Sequence, residues 1–435
     1  MLDIKFIREN FEFVKKAAHD KGCKLDFDKL LKLDKERRDL LGELEKLRAN
    51  QNKGSKAKPT PEEQGALKNN KQRIQAQEKE LEGVTTEFDA LMLKIPNPAM
   101  ADVPVGKDEA DNQVIRKWGE PREFKFRVRD HVELGEILDV IDIDRATKVS
   151  GARSAYLKGG AVKIQFALVQ FVFEALTNEK TLAKIIKSMG EKINPKPFVP
   201  VVPPVIIKPE PFRRMARLSE ADKDERYYLQ QDDKYLVGSA EHTLGSMFMD
   251  EIIDERDLPI RFLGYSTSFR REAGSYGKDT RGILRVHQFD KLEMESFTVG
   301  EDSLKEHNFF VAIQEYLMQQ LDIPYQVILV STGDMGGPDA HQVDIEAWIP
   351  GQNKYRETHT ADLMTDYQAR RLQTRVRRLN GQIEVAHTND ATAFAIGRIL
   401  IAILENNQEE DGSVRIPKIL QKYLGQKVIR PPENK

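Results

Sequence analysis

Cysteine is almost absent, with Cys23 the single one in 435 residues. That excludes an intramolecular disulfide and fits a reducing compartment. The eight histidines are scattered, with no pair at ligand spacing beside a cysteine, which argues against a histidine–cysteine metal centre. No run of 18 apolar residues occurs. The stretch Phe394 to Leu404 is interrupted by Arg398 and the stretch Val199 to Ile207 by prolines, so no membrane span is expected. The first ten residues, MLDIKFIREN, carry charge from the third onward and have no apolar h-region. A signal peptide is therefore not expected, and the expected location is the cytoplasm. Net charge is also nearly lacking, at −2, so nucleic-acid binding must come from local basic patches. Both familiar nucleotide loops are missing. Gly274-Ser-Tyr-Gly277-Lys278-Asp279 has two residues between its glycines where a phosphate loop has four, and it lacks the hydroxyl after the lysine. No G-x-G-x-x-G follows a strand, no G-x-S-x-G elbow occurs, and no nucleophile motif holds the cysteine.

What the chain has is charge, at 32% of residues, beside a hydrophobic fraction of 40% that supports a sizeable core. Its length allows two or more domains. From about residue 27 to 95 the pattern is that of a charged helical hairpin. Leu33, Leu40 and Leu47 recur every seven residues with Leu30 and Leu44 at the companion position; Leu67, Ile74, Leu81, Phe88 and Ile95 then keep the same period. Such a narrow seam marks helices wound on each other. The interruption holds Gly54, Pro59 and Pro61, which no continuous helix tolerates, while Thr60 can cap and Pro61 can open the second helix. Two antiparallel helices of about 30 residues give an arm on the order of 45 Å long. Its tip carries Lys46, Arg48, Lys53, Lys56 and Lys58 with no acid from 46 to 58. Solvated tip charge and a phosphate-contacting end explain these cations equally well.

Pro96, Pro98 and Pro104 end the arm. Candidate helices then cover 160–190 and 362–378, with another starting near Thr392. Candidate strands cover 199–207, 261–271, 284–297, 325–331 and 342–349. Clustered strands without a βαβ rhythm predict an α+β fold with a mainly antiparallel sheet flanked by helices.

Four constellations carry candidate chemistry. Ser266 to Glu295 reads as two strands joined by a glycine-bearing polar loop. Alternation puts Arg270 and Glu272 on one face, and likewise Phe289, Lys291, Glu293 and Glu295. A cation, an aromatic plate and carboxylates together suit a phosphate, an adenine and an ammonium group, although taken alone a solvent-facing charged hairpin accounts for them. In Leu236 to Glu241, Ser239 and Glu241 point the same way. Asp344 to Thr360 offers Glu346 and Glu357 as candidate magnesium ligands. The apolar run Ala391 to Gln408 holds one cation, Arg398, costly there unless paired or facing a ligand.

Together and in this order, with Ser150-Gly-Ala-Arg153, Val202-Pro203-Pro204, Phe269-Arg270-Arg271-Glu272, Tyr355-Arg-Glu357 and Gly397-Arg398, these segments resemble a class II aminoacyl-tRNA synthetase, specifically a seryl-tRNA synthetase of the bacterial type. The resemblance implies a tRNA-binding coiled-coil arm over 1–105 and a catalytic domain over 106–435. Motif 1 falls near 185–207 at a homodimer interface, motif 2 near 262–297 and motif 3 near 387–408. It implies ATP as a substrate with Mg2+, and serine tRNA as partner, without membrane or DNA; selenocysteine tRNA is left open as a second acceptor. Arg270 would bridge the α-phosphate and the serine carboxylate, Glu272 would face the adenine amino group, and Phe289 would stack on adenine. Arg271, Arg285 and Val286 accompany them at the nucleotide. Ser239, Ala240, Glu241, Glu293, Asp390 and Thr392 match serine-binding positions, with Thr392 reading the hydroxyl. Glu357, Thr358, His359 and Thr360 match the ATP segment, with Glu357 and Thr360 at the magnesium, and Arg398 is expected at the γ-phosphate. The Gly274–Gly282 loop would close on the acceptor end, and the lysines and arginine of the arm tip would touch tRNA.

Two places depart from the family's usual pattern. His359-Thr360-Ala361-Asp362-Leu363 stands where a serine-cysteine-serine-asparagine run is common, and Asn389-Asp390-Ala391 where leucine-asparagine-glycine is common. Asp390 thus replaces an amide that donates with a carboxylate that does not. Two other readings remain at this point: a ligase of the same fold that charges a carrier protein, and a coiled-coil scaffold with an inactive body. The arm argues against the first, and the intact set Arg270, Glu272, Glu293, Glu357 and Arg398 against the second.

Overall fold

The computed structural model describes residues 1–54, 60–219, 222–273 and 281–433. The chain divides into two compact units, Met1–Pro98 and Ala99–Lys435. In the first, the heptad stretches form helices α1 (Phe27–Gly54) and α2 (Pro61–Met92). Their cross-contacts descend in order, Lys29 with Glu87 at 3.1 Å, Glu43 with Gln77 at 2.7 Å and the Leu47 carbonyl with Asn70 at 2.9 Å, so the helices are antiparallel. Leu30, Leu33, Leu44, Leu47 and Phe88 of the seam are buried. α2 starts as its sequence predicts. The Thr60 hydroxyl accepts from the Glu63 N–H at 3.3 Å while Glu63 accepts from the Thr60 N–H at 2.7 Å, with Pro61 in the first turn.

The second unit is built on an eight-stranded sheet. Its strands are β1 (Gln113–Trp118), β2 (Val199–Val201), β3 (Ile260–Phe269), β4 (Gln288–Thr298), β5 (Tyr325–Leu329), β6 (His341–Ile349), β7 (Lys354–Thr365) and β8 (His387–Ala395). They lie in the order β1-β5-β6-β7-β8-β4-β3-β2, antiparallel throughout except that β2 runs parallel to β3 at one edge. Helices α3 (Gly159–Leu176), α4 (Ser303–Leu321) and α5 (Ile396–Asn406) contribute most of the helical side of the core. α3 is long and apolar enough to cross a membrane, but its residues from Ala161 to Leu176 supply nine buried side chains to that core. Alternation then divides the central strands. Leu292 and Met294 of β4, Ala361 and Leu363 of β7, and Ala391 and Ala393 of β8 are buried. Their neighbours in sequence, Lys291, Glu293, Thr360, Asp362, Asp390 and Thr392, face a cleft.

Several expected elements are differently bounded. The helix expected over 160–190 is two, α3 and Glu179–Met189, because the Asn178 side chain takes the Thr181 N–H at 3.1 Å and caps a new start. The strand expected over 199–207 is split between two sheets, since Pro203 and Pro204 have no N–H for a ladder. The stretch 362–378 is not a helix. β7 runs to Thr365, a short helix spans Tyr367–Leu372, and a strand covers Arg375–Arg377, with Thr365 and Gln373 at φ 51° and 59° breaking the chain between them. The helix expected near Thr392 begins at Ile396, after the strand β8. Alanine-rich Ala391 to Ala395 reads as a helix former, and pairing with β4 and β7 overrides that preference.

Candidate active site

The loop ends and faces of β3, β4, β7, β8 and α5 enclose a cleft of about 620 Å³. Arg270, Glu272, Glu293, Glu357 and Arg398 all line it. β3 and β4 pair with Phe269 opposite Gln288 and Ser266 opposite Lys291, so the two arms of the expected hairpin are present. Arg270 follows β3. Its guanidinium lies 5.4 Å from the centre of the Phe289 ring, and its Nε donates to the Gly238 carbonyl at 3.3 Å. Glu272 sits at φ 53° and accepts from Arg285 Nη1 at 3.1 Å, while its carbonyl accepts from Arg153 at 2.7 Å. Val286 lines the cleft beside them.

Two irregularities in the sheet shape the floor. The β6–β7 register slips between Ile345 and Glu346, so that Ile345 faces His359 and Glu346 faces Glu357. The extra residue, Thr358, lets Glu357 and Thr360 reach one cleft although they stand three positions apart. A matching slip between Leu292 and Glu293 sets Glu293 opposite Thr392. Glu293 Oε2 accepts from the Ser239 hydroxyl at 2.9 Å and is in contact with the Lys291 ammonium, which also donates to Ser239 at 3.3 Å. Burial raises the Glu293 carboxyl above its ordinary range, and Lys291 pulls the other way. Glu241 is also buried, but its carboxyl is held low by Arg217, whose Nε donates to it at 2.6 Å. At the opposite wall Arg398 Nη1 donates to both the carbonyl and Oε1 of Glu357, each at 2.9 Å. Desolvation opposes ionisation of Glu357, yet Arg398 and then Arg270 keep its carboxyl below the usual range.

Not every expected residue faces the cleft. Ala240 turns its methyl into an apolar cluster with Leu244, Ile253, Phe262 and Phe297. Arg271 is exposed and lies 5.7 Å from the Tyr227 ring. His359 points to the core against Phe394, where burial lowers its pKa to about 3. Glu346 accepts from Gln326 at 2.6 Å and borders a neighbouring recess. In the arm, Lys46 and Lys53 are exposed, but Arg48 is not a free cation as expected. The 46–58 window has no acid, whereas α2 supplies Glu78, 2.7 Å away. Lys56, Lys58 and residues 274–280 of the Gly274–Gly282 loop lie outside the described residues.

The cleft also holds residues to which sequence reasoning gave no role. Lys291 was placed by alternation on the face of Phe289 and Glu293, without a part in the site. Arg217, Arg226 and Asp362 line the cleft too. The two arginines come from irregular chain between short elements, where no period points to them. Among the described residues no group of three or more histidine, cysteine or carboxylate side chains is arranged to hold a metal ion. Glu357 and Thr360 nonetheless offer oxygen donors of the kind magnesium uses when phosphates complete its shell.

Comparison with known proteins gives a consistent result. Residues 1–99 match the seryl-tRNA synthetase N-terminal domain, and residues 225–407 match the tRNA synthetase class II core domain (G, H, P, S and T). The serine–tRNA ligase of Dictyoglomus turgidum is 40% identical over 440 residues, covering 99% of this chain and 100% of that one. The crystal structure of seryl-tRNA synthetase from Pyrococcus horikoshii complexed with ATP is 38% identical, with a TM-score of 0.87 over the whole of both chains. A cytoplasmic serine–tRNA ligase from Naegleria fowleri in complex with AMP is 29% identical, with a TM-score of 0.84.

Proposed function

Because the chain belongs to the seryl-tRNA synthetase family, we propose that its cleft carries out that family's two steps with the residues described above. The protein is an ATP-dependent serine–tRNA ligase. An oxygen of the serine carboxylate attacks the α-phosphorus of ATP, and pyrophosphate leaves. A hydroxyl of the 3′-terminal adenosine of tRNA then attacks the acyl carbon of seryl-adenylate, and AMP leaves. Neither step requires a covalent nucleophile from the protein. The first brings two anions together, so catalysis rests on positioning and on neutralising charge.

The roles divide along the cleft. Arg270 bridges the α-phosphate and the substrate carboxylate, two anions that its planar fork suits. Glu272 faces the adenine amino group, and Phe289, already overlain by the Arg270 guanidinium, stacks on the base. Arg271, outside the cleft, acts at most through its neighbours there. Arg398 takes the γ-phosphate, which requires it to leave Glu357. Glu357 and Thr360 would then hold a magnesium ion, which supplies charge neutralisation at the phosphates. Ser239, Glu241, Glu293, Asp390 and Thr392 form the amino-acid end. Glu293 accepts from the serine hydroxyl in place of Ser239, and alanine, which lacks that donor, gains no bond there. The arm, with Lys46 and Lys53 exposed, contacts tRNA through shape and phosphate. A homodimer is supported by the sheet edge at β2, where Val199 and Val202 are 53% and 79% exposed. The reducing compartment suggested by the lone cysteine fits a cytoplasmic enzyme.

The observation that carries this reading is the convergence of Arg270, Glu293, Glu357 and Arg398 on one cleft. ATP–pyrophosphate exchange across a panel of amino acids tests it. Exchange with serine and not alanine is expected. No exchange with any amino acid would overturn the reading, and preference for another amino acid would move the specificity.

A further inference from the structure

Beside the row that carries Glu293 and Thr392 lies a second one, of which the serine-ligase reading assigns a role to Asp390 alone. Asp362 on β7, Asp390 on β8 and Glu295 on β4 are direct register partners across three neighbouring strands. Like charges opposite each other on a sheet repel, and these side chains are 6%, 4% and 0% exposed. Asp362 Oδ1, Asp390 Oδ2 and both Glu295 oxygens have no hydrogen-bond partner among the described residues. Asp362 and Asp390 open onto the cleft. Among the described residues Arg217 is the cation paired with the row. Arg217 commits its Nε to Glu241, and its Nη2 stands 3.7 Å from each of Asp339, Asp362 and Asp390, outside hydrogen-bond reach. Lys291 is engaged by Glu293, while Arg226 and Arg270 gather at Gly238. Buried carboxyls short of cations are costly unless a ligand supplies positive charge.

The α-ammonium of serine supplies one such charge, and the row has room in its charge balance for another. We propose that this pocket also accepts α-amino acids that carry a β-ammonium group in place of serine's hydroxyl, and activates them. The inference rests on the serine-ligase reading of the same cleft. An ammonium is as compact as a hydroxyl and is a donor only, as Glu293 requires. One same-face step along β4, about 7 Å, separates Glu293 from Glu295, so the added charge lies within coulombic range of the row in a desolvated site. The chemistry is unchanged. A carboxylate oxygen forms the new bond to the α-phosphorus, the bond from that phosphorus to the bridging oxygen breaks, and pyrophosphate leaves while the β-ammonium keeps its protons.

The probe is 2,3-diaminopropionate in ATP–pyrophosphate exchange with the full chain, beside serine and alanine. Its kcat/KM is expected to exceed that of alanine, which offers no donor at that position, by about a hundredfold or more. Exchange with serine but none above alanine with the diamino acid overturns the proposal and leaves the ligase reading standing. No exchange with serine overturns both. In Asp362→Asn the diaminopropionate-to-serine ratio should fall about tenfold, and an unchanged ratio removes the row from the explanation. If that variant does not fold, Glu295→Gln is read by the same ratio, and the wild-type comparison decides without either.

Discussion

Replacing Arg398 by alanine separates catalysis from stability, because the proposed phosphate role gives its side chain a large share of the first and its exposed ion pair a small share of the second. Its two bonds both end on Glu357, at 2.9 Å, and the side chains are 23% and 48% exposed. An ion pair this open to water contributes about 1 kcal/mol or less to folding. Melting should therefore fall by a few degrees at most. The sign with pH follows from Glu357, whose carboxyl Arg398 helps hold below its ordinary range against desolvation. The pair's contribution is present above the unfolded pKa and is lost as pH falls, so wild type and variant should melt more nearly together in acid. Activity should respond very differently. Losing one preorganised donor to a charge that grows or shifts in the transition state typically costs about 10²–10³ in rate. Pyrophosphate exchange, with ATP varied at saturating serine, measures this on the same preparation that is melted. Arg398→Lys should recover part of the loss, since it restores charge without the planar fork. Near-normal exchange by Arg398→Ala would refute the phosphate role, and a collapse in melting temperature would refute the claim that the pair is structurally minor.

Arg270→Ala should abolish serine-dependent exchange while the protein stays folded, because one side chain serves two anions; activity close to wild type would contradict that. Deleting residues 36–86 should spare exchange and reduce tRNA charging by orders of magnitude, and equal loss of both would mean the arm supports the catalytic unit. Glu295→Gln should stabilise the protein at neutral pH. Burial, then Asp390 and Glu241, push the Glu295 carboxyl well above its ordinary range. The folded state thus binds that proton more tightly than the unfolded one, and wild-type stability falls as pH rises past the unfolded value. Melting scans from pH 4 to 8 should show the variant's advantage growing with pH; an advantage greatest in acid would reverse the sign of the argument.

The heptads of the arm were legible because a seam repeats, although the helix stops at Met92, short of the expected seam position Ile95, and the Thr60–Pro61 start was legible because capping chemistry is local. Arg48 was misread for the complementary reason: its partner Glu78 lies on the other helix, thirty residues away in sequence. In the catalytic unit the alternation of Phe289, Lys291 and Glu293 puts them on one face in sequence, and that face lines the cleft. Alternation alone fails at Glu357 and Thr360, which on a regular strand face opposite ways. The slip at Ile345/Glu346 brings them together, and the slip at Leu292/Glu293 does the same for Glu293 and Thr392. A bulge adds one residue to one strand, and nothing in that residue's chemistry announces it. Residue types could therefore be assigned to a site from the chain alone, while the register that makes them neighbours came from pairing across the sheet. The same pairing aligns Asp362, Asp390 and Glu295, three acids drawn from segments that are distant in sequence. Asp390 alone looked like a single exchanged amide; beside two register partners and Arg217 it belongs to a charge arrangement, and the proposed wider range of amino acids rests on that arrangement.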